Sequence, residues 1–254
     1  MSGAQDIAVE YARSGAAVRS DLRDAHRAVL DALRWPGNWF TGAERIAIAA
    51  ESRRAPQCAL CRARKQALSP EHPRGEHERT PAGADLPAAV VEVAHRVRTD
   101  SGRLTRKWFE RAIASGLAEG SYVEVVGIVA LLAGLDYFCR ALGVPPLPLP
   151  APLPGEPSRH RPAGLRSGIA WVALLAPEDA SGPETDLYDA APAIPNIARA
   201  LSSVPDHVRL LQLATRSHYL PLSDLANPRK GRAIDRMQIE LVAARVSAIN
   251  ECFY

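Results

Sequence analysis

The sequence predicts an all-α protein, on three observations. Apolar residues recur at helical spacing along most of the chain. Alanine is abundant and aromatic residues make up only 6%, a balance that favours helix over sheet. Cap residues, prolines and glycines fall at the ends of the periodic stretches rather than inside them.

Each element follows from its own residues. In the first segment, Ile7, Val18, Leu22, Val29, Leu30 and Leu33 share helical spacing, which predicts one or two helices ending before Pro36. Trp35, Trp39 and Phe40 then form an aromatic elbow that packs a helix junction. Thr41 is an N-cap for a helix from Gly42 to about Arg54, with Glu44 as its capping-box partner. Pro56 breaks that helix, and a short one from Cys58 to Ala67 follows. Ser69 to Asp85, rich in Pro, Gly, His and charge, reads as a mobile loop. Three helices come next, Pro87 to Arg98, Thr105 to Ser115 and Ser121 to Leu142, with Gly116 and Gly143 where helix C-caps belong.

Val144 to Pro162 holds eight prolines, which neither a helix nor a central strand accommodates. It divides the chain into an N-terminal helical region (residues 1–143), an extended connector (144–162) lying along that region, and a second helical region (163–254). Ile169 to Leu175 is a short strand or a buried loop. Helices resume over Ile194 to Leu201, Asp206 to Tyr219 and from Asp235 onward, giving about eight or nine helices and no sheet of consequence. As a separate domain the second region looks incomplete, so the two regions together can complete one bundle.

Composition narrows the function classes. A chain of 254 residues with 47% hydrophobic content builds a sizeable core. A formal charge of +3 demands no nucleic-acid partner, and Arg53, Arg54, Arg62 and Arg64 read as solvated helix faces. The longest apolar run, Val123 to Leu135, has the length of a buried core helix rather than a membrane span. The N-terminus lacks a basic start and an apolar stretch, so no secretory signal is expected, and a cytoplasmic location is. Four cysteines make no disulfide framework in a chain of this size.

The cysteines carry the chemical signal. Cys58-Ala59-Leu60-Cys61 is a complete C-x-x-C, which brackets one helical turn and holds two sulfurs within bonding reach. The chain closes on Cys252-Phe253-Tyr254, a C-x-x with no fourth residue. The Ala-rich stretches ahead of the two, 44–57 and 238–251, lead into a cysteine at the same offset, as a degenerate internal repeat does. Cys58 follows Pro56 at a helix start, with Arg62, Arg64 and Lys65 just beyond, a setting that favours thiolate over a free thiol of pKa ~8.5. A single C-x-x-C is also half of a zinc site, but no second Cys/His pair stands at ligand spacing, so no metal is expected. Cys139 reads as core; His95, His218, Asp136 and Glu124 are secondary candidates on amphipathic helices. Neither a phosphate loop nor a serine elbow is present, and no flavin or nicotinamide motif implies a bound cofactor.

Glu240, twelve residues before Cys252, together with the C-x-x-C, resembles the alkylhydroperoxidase D-like and carboxymuconolactone decarboxylase-like family, whose pattern is a glutamate, a C-x-x-C and a histidine four residues on. The segments Asp206-His-Val-Arg-Leu-Leu, Leu104-Thr-Arg-Lys-Trp-Phe-Glu and Gly127-Ile-Val-Ala-Leu-Leu-Ala-Gly are similar to that family's helices around the site. The nearest likeness is to its two-part members that include selenoproteins. The resemblance implies an alkylhydroperoxidase-like helical bundle, a homo-oligomer, and a thiol- or selenol-dependent peroxidase or disulfide oxidoreductase. Its substrate would be a peroxide and its electron donor a thiol or small redox protein. It implies Cys252 and Glu240 as the main site, with a selenocysteine codon after Tyr254, and Cys58 and Cys61 as a second pair. That pair departs from the pattern, with Ile46 at the glutamate position and Lys65 at the histidine position. The resemblance also admits a decarboxylase-like enzyme without redox cysteines, or a non-catalytic helical scaffold.

Overall fold

The structure is a computed structural model that describes residues 11–80, 84–188, 194–225 and 227–249. It is mostly helical, as the composition requires. Nine α-helices occur among the described residues: α1 Ser20–Arg34, α2 Gly42–Arg54, α3 Ala59–Gln66, α4 Ala88–Asp100, α5 Arg106–Ala114, α6 Glu119–Ala141, α7 Asn196–Arg199, α8 Pro205–His218 and α9 Arg236–Ile249. The only sheet among them is a two-residue antiparallel ladder, with Leu165 opposite Leu175 and Arg166 opposite Leu174.

Local chemistry sets the element ends. Thr41 caps α2: its side chain accepts the Glu44 N–H while the Glu44 carboxylate accepts the Thr41 N–H, which satisfies two donors the helix would otherwise leave open. Thr105 caps α5 through its side-chain oxygen alone, which accepts the Trp108 N–H. Gly116 and Gly143 take φ of +98° and +70° just past α5 and α6, a backbone region where a side chain is strained.

α6 is the central element. It packs against α1, α2, α4 and α8, and α2 also packs against α1 and α4. By length and composition α6 could cross a membrane, because flanking residues extend the apolar run beyond Val123–Leu135; 67% of its apolar window is buried inside the protein. Its two interior acids are paired. Glu124 receives Arg45 at 2.9 Å, and Asp136 receives Arg53 at 2.8 Å and Arg98 at 3.5 Å.

The proline-rich connector has no regular structure and lies along the first helices. Leu153 N–H bonds the Arg34 carbonyl, and the Ser158 and Arg159 N–H groups bond those of Gly37 and Asn38. Beyond it, Leu175, Leu187, Leu201, Val204 and Val208 join the same apolar core as residues of α1, α2, α4 and α6.

The two helices whose sequences echo one another are packed differently. Half of α2 is buried between its neighbours. On α9 only Ile239 is buried, while Met237, Leu241, Val242, Val246 and Ile249 are exposed.

Candidate dithiol site

The site forms where α2, α3 and α4 meet. α2 runs into a 3-10 turn, Ala55–Gln57, which carries Pro56. Cys58 then turns extended and caps α3, placing Cys61 one helical turn on. Both sulfurs are free thiols and both side chains are buried.

Two histidines close around them. His95 comes from the middle of α4 and is fully buried; its Nδ1 lies 3.3 Å from the Cys61 sulfur. His77 comes from the segment between α3 and α4; its Nδ1 lies 3.6 Å from Cys58 Sγ and 3.5 Å from Cys61 Sγ. The four atoms, two sulfurs and two ring nitrogens, all fall within 4.8 Å of one another.

Each ring is oriented from behind by a carboxylate. His95 Nε2 is 2.9 Å from Glu51 Oε2, and His77 Nε2 is 2.8 Å from Glu92 Oε2. An ionised carboxylate only accepts, so each Nε2 carries a hydrogen, and in the neutral ring Nδ1 keeps its lone pair toward sulfur. The carboxylates are held in turn. Glu92 accepts from Arg64 at 2.8 Å and from the Trp108 indole at 3.0 Å. Glu51 accepts the Thr80 backbone N–H at 2.7 Å through its other oxygen.

The electrostatics split the two thiols. Burial pushes Cys58 up, but the backbone N–H of Cys61, the His77 ring and the backbone at Glu78 outweigh it and bring the pKa down to about 7. Burial and the neighbouring Cys58 drive Cys61 up to about 12. For His77, burial is outweighed by Glu92 and Cys58, and its pKa is raised. For His95, burial prevails over Glu51 and the pKa is lowered.

The segment after α3 differs from the mobile loop its composition suggests. Its described residues are tied to the helices through His77, through Thr80 on Glu51, and through Glu78 and Glu71 on Arg54 and Arg111. It covers the sulfurs. A cleft of about 600 Å³ opens beside it, lined by Arg64, His77, Glu92, Arg96 and Trp108 among others. His77 lines the cleft and the cysteines do not.

Of the residues singled out in the sequence, the structure brings together Cys58, Cys61 and His95. Glu240 lies elsewhere, half-exposed on α9, where it pairs with Arg236 at 2.6 Å and accepts the Tyr219 hydroxyl. Cys252 lies outside the described residues. Cys139 is buried in α6, its thiol pushed up by burial. His218 faces His26 with 2.7 Å between their Nε2 atoms. Lys65, in the position where the family pattern has histidine, reaches Asp100 at 3.5 Å, and Ile46 packs on the core.

Sequence reasoning missed Glu51, His77 and Glu92. The absence of a second Cys/His pair holds along the chain and fails in space, because His77 and His95 belong to different elements and meet only through packing. One signal was present: Glu92 and His95 are three apart on one predicted helix, hence on one face.

Compared with models of known protein families, with curated proteins and with solved structures, the chain matches none.

Proposed function

We propose that Cys58 and Cys61 form the redox centre of a thiol-dependent peroxidase or disulfide oxidoreductase. One observation carries this reading: two sulfurs one helical turn apart each face an imidazole Nδ1 whose Nε2–H is tied to a carboxylate. Cys58 is the nucleophile, since it stands at the open N-terminus of α3, where backbone N–H groups stabilise a thiolate. The Cys58 thiol passes its proton to His77 Nδ1; the thiolate attacks the distal oxygen of a hydroperoxide, the O–O bond breaks, sulfur becomes a sulfenic acid, and the departing alkoxide takes that proton from His77. His95 then draws the proton from Cys61. The Cys61 sulfur attacks the sulfenic sulfur, a disulfide forms and water leaves. Two electrons from an external dithiol or small redox protein restore the pair. General acid–base help of this kind contributes ~10²–10⁴-fold; Glu51 and Glu92 are positioning residues. Because both sulfurs are buried, the covering segment must open for peroxide to enter.

The test is thiol titration of the reduced, chelator-treated chain before and after one equivalent of hydroperoxide. Loss of two thiols, abolished in Cys58→Ser and slowed in His95→Ala, supports the assignment. Turnover that persists in the Cys58→Ser, Cys61→Ser double variant refutes it and moves the chemistry to the C-terminal candidates Cys252 and Glu240.

A further inference from the structure

The four donors around the dithiol have the dimensions of a metal cage. Ligands at ~2.3 Å for sulfur and ~2.05 Å for nitrogen, set at tetrahedral angles about one ion, stand about 3.5 Å apart from sulfur to nitrogen. The observed sulfur–nitrogen separations are 3.6, 3.5 and 3.3 Å, and the remaining pairs stay within 4.8 Å. The donor set agrees with the spacing: two thiolates and two imidazoles suit a tetrahedral, borderline-soft divalent cation and do not suit Mg²⁺ or Ca²⁺, which take oxygen. Both Nδ1 atoms point inward, and both outward Nε2 atoms donate to a carboxylate, Glu92 for His77 and Glu51 for His95. That is the arrangement by which a metal-bound histidine is fixed in orientation and made a stronger donor. Cys58, Cys61 and His95 are buried and the His77 side chain is nearly so, which leaves no open coordination position and marks a structural site rather than a catalytic one.

We propose that Cys58, Cys61, His77 and His95 bind one Zn²⁺-like ion in the reduced protein, clamping the segment between α3 and α4 onto the helical bundle. His77 is the only one of the four that neither lies in a helix nor caps one, so the ion adds a fastening of that segment to α3 and α4 beyond its hydrogen bonds to Ala59, Arg64 and Glu92. A consequence rests on the dithiol reading above. When a hydroperoxide oxidises the two bound thiolates to a disulfide, it takes up two protons and leaves as alcohol and water. Two of the four ligands are then lost, the ion departs, and the segment keeps only its hydrogen bonds and ion pairs to the helices.

The experiment uses the full chain, reduced and stripped with a chelator, titrated with Co²⁺ and then Zn²⁺. One equivalent of Co²⁺ should bind, with the visible d–d bands of tetrahedral coordination and a thiolate-to-cobalt charge-transfer band. One equivalent of Zn²⁺ should bleach both, and a large excess of Mg²⁺ should not. His77→Ala, which changes a residue outside the helices, should keep the far-ultraviolet circular dichroism and weaken Co²⁺ binding at least tenfold. Zn²⁺ should slow proteolytic cleavage within 67–80 severalfold. An octahedral cobalt spectrum without charge transfer, or no stoichiometric binding by the folded chain, overturns the metal site and leaves the dithiol reading intact. Tetrahedral binding with no loss of thiols to peroxide overturns the dithiol reading and leaves the metal site intact.

Discussion

Glu51 joins the candidate site to the segment that covers it, and its removal tests both. The side chain is buried, and its two oxygens serve different partners: one accepts His95 Nε2–H at 2.9 Å, the other the Thr80 N–H at 2.7 Å. Glu51→Ala leaves two donors without an acceptor in a dry region, at ~1–3 kcal/mol each. Relief of the cost of burying a carboxylate offsets part of that sum, so the expected loss is about 3 kcal/mol. Glu51→Gln keeps the shape but brings one oxygen for two donors, and its loss should be about half as large, on the order of 1–2 kcal/mol. Urea unfolding followed by circular dichroism reads both values, provided the slope with denaturant is unchanged. The same alanine variant should bind Co²⁺ ~10–100-fold more weakly, the usual effect of removing the carboxylate behind a metal-bound histidine. If the alanine variant unfolds within ~0.5 kcal/mol of the parent protein and binds cobalt equally well, the bridging role assigned to Glu51 is wrong.

Three further outcomes are expected. Glu124→Ala strands the buried Arg45 guanidinium and the Trp39 N–H, which now share that carboxylate. It should cost ~3–5 kcal/mol, whereas Glu124→Met with Arg45→Met should recover the share due to the stranded guanidinium and leave that of the Trp39 N–H; a double variant no better than the single refutes the pairing argument. Gly127→Ala would gain about 1 kcal/mol in an open helix, but its Cβ would stand 2.0 Å from His207 Nδ1 in the core. A net loss of ~1–3 kcal/mol is expected in urea, and a stabilised variant would contradict the packing described. His26 is buried against Tyr11, Phe138 and His218, with Arg19 and Asp21 near the latter. Burial and then His218 depress its pKa from 6.5 to about 4, and His218 is lowered too, chiefly by burial. Below pH 6.5 the unfolded chain takes protons that the folded one refuses, so stability is full above pH 6.5 and falls as pH drops toward 4. Unfolding midpoints at about pH 7 and 4.5 measure the slope, which His26→Asn should flatten.

The elements of the fold that were legible are those with local causes. Thr41 and Glu44 announce a helix start because each bonds the other's backbone within one turn. Gly116 and Gly143 announce helix ends because only glycine takes those φ values without strain. The proline-rich connector was legible because proline excludes both regular structures. The site was legible only in part. The C-x-x-C declares itself through a contact one turn apart, but the groups that act on it arrive from far along the chain, Glu51 on α2, His77 between helices and His95 on α4. Their meeting depends on how α2 lies on α4 and on how the intervening segment is tethered. No spacing rule contains those two facts. Composition even pointed the other way for that segment, since residues that favour loops also furnish its bonds to Glu51, Arg54 and Arg111.

Among the described residues, the concealment of three free thiols at two different depths gives the protein a built-in gauge of its own breathing. Cys139 sits inside the central helix, so a labelling reagent meets it only when the whole core parts. Cys58 and Cys61 lie beneath one tethered segment and become exposed when that segment alone lifts away. The ratio of the two labelling rates, each divided by the rate of the same thiol in the unfolded chain, therefore converts into the free-energy gap between partial and complete opening.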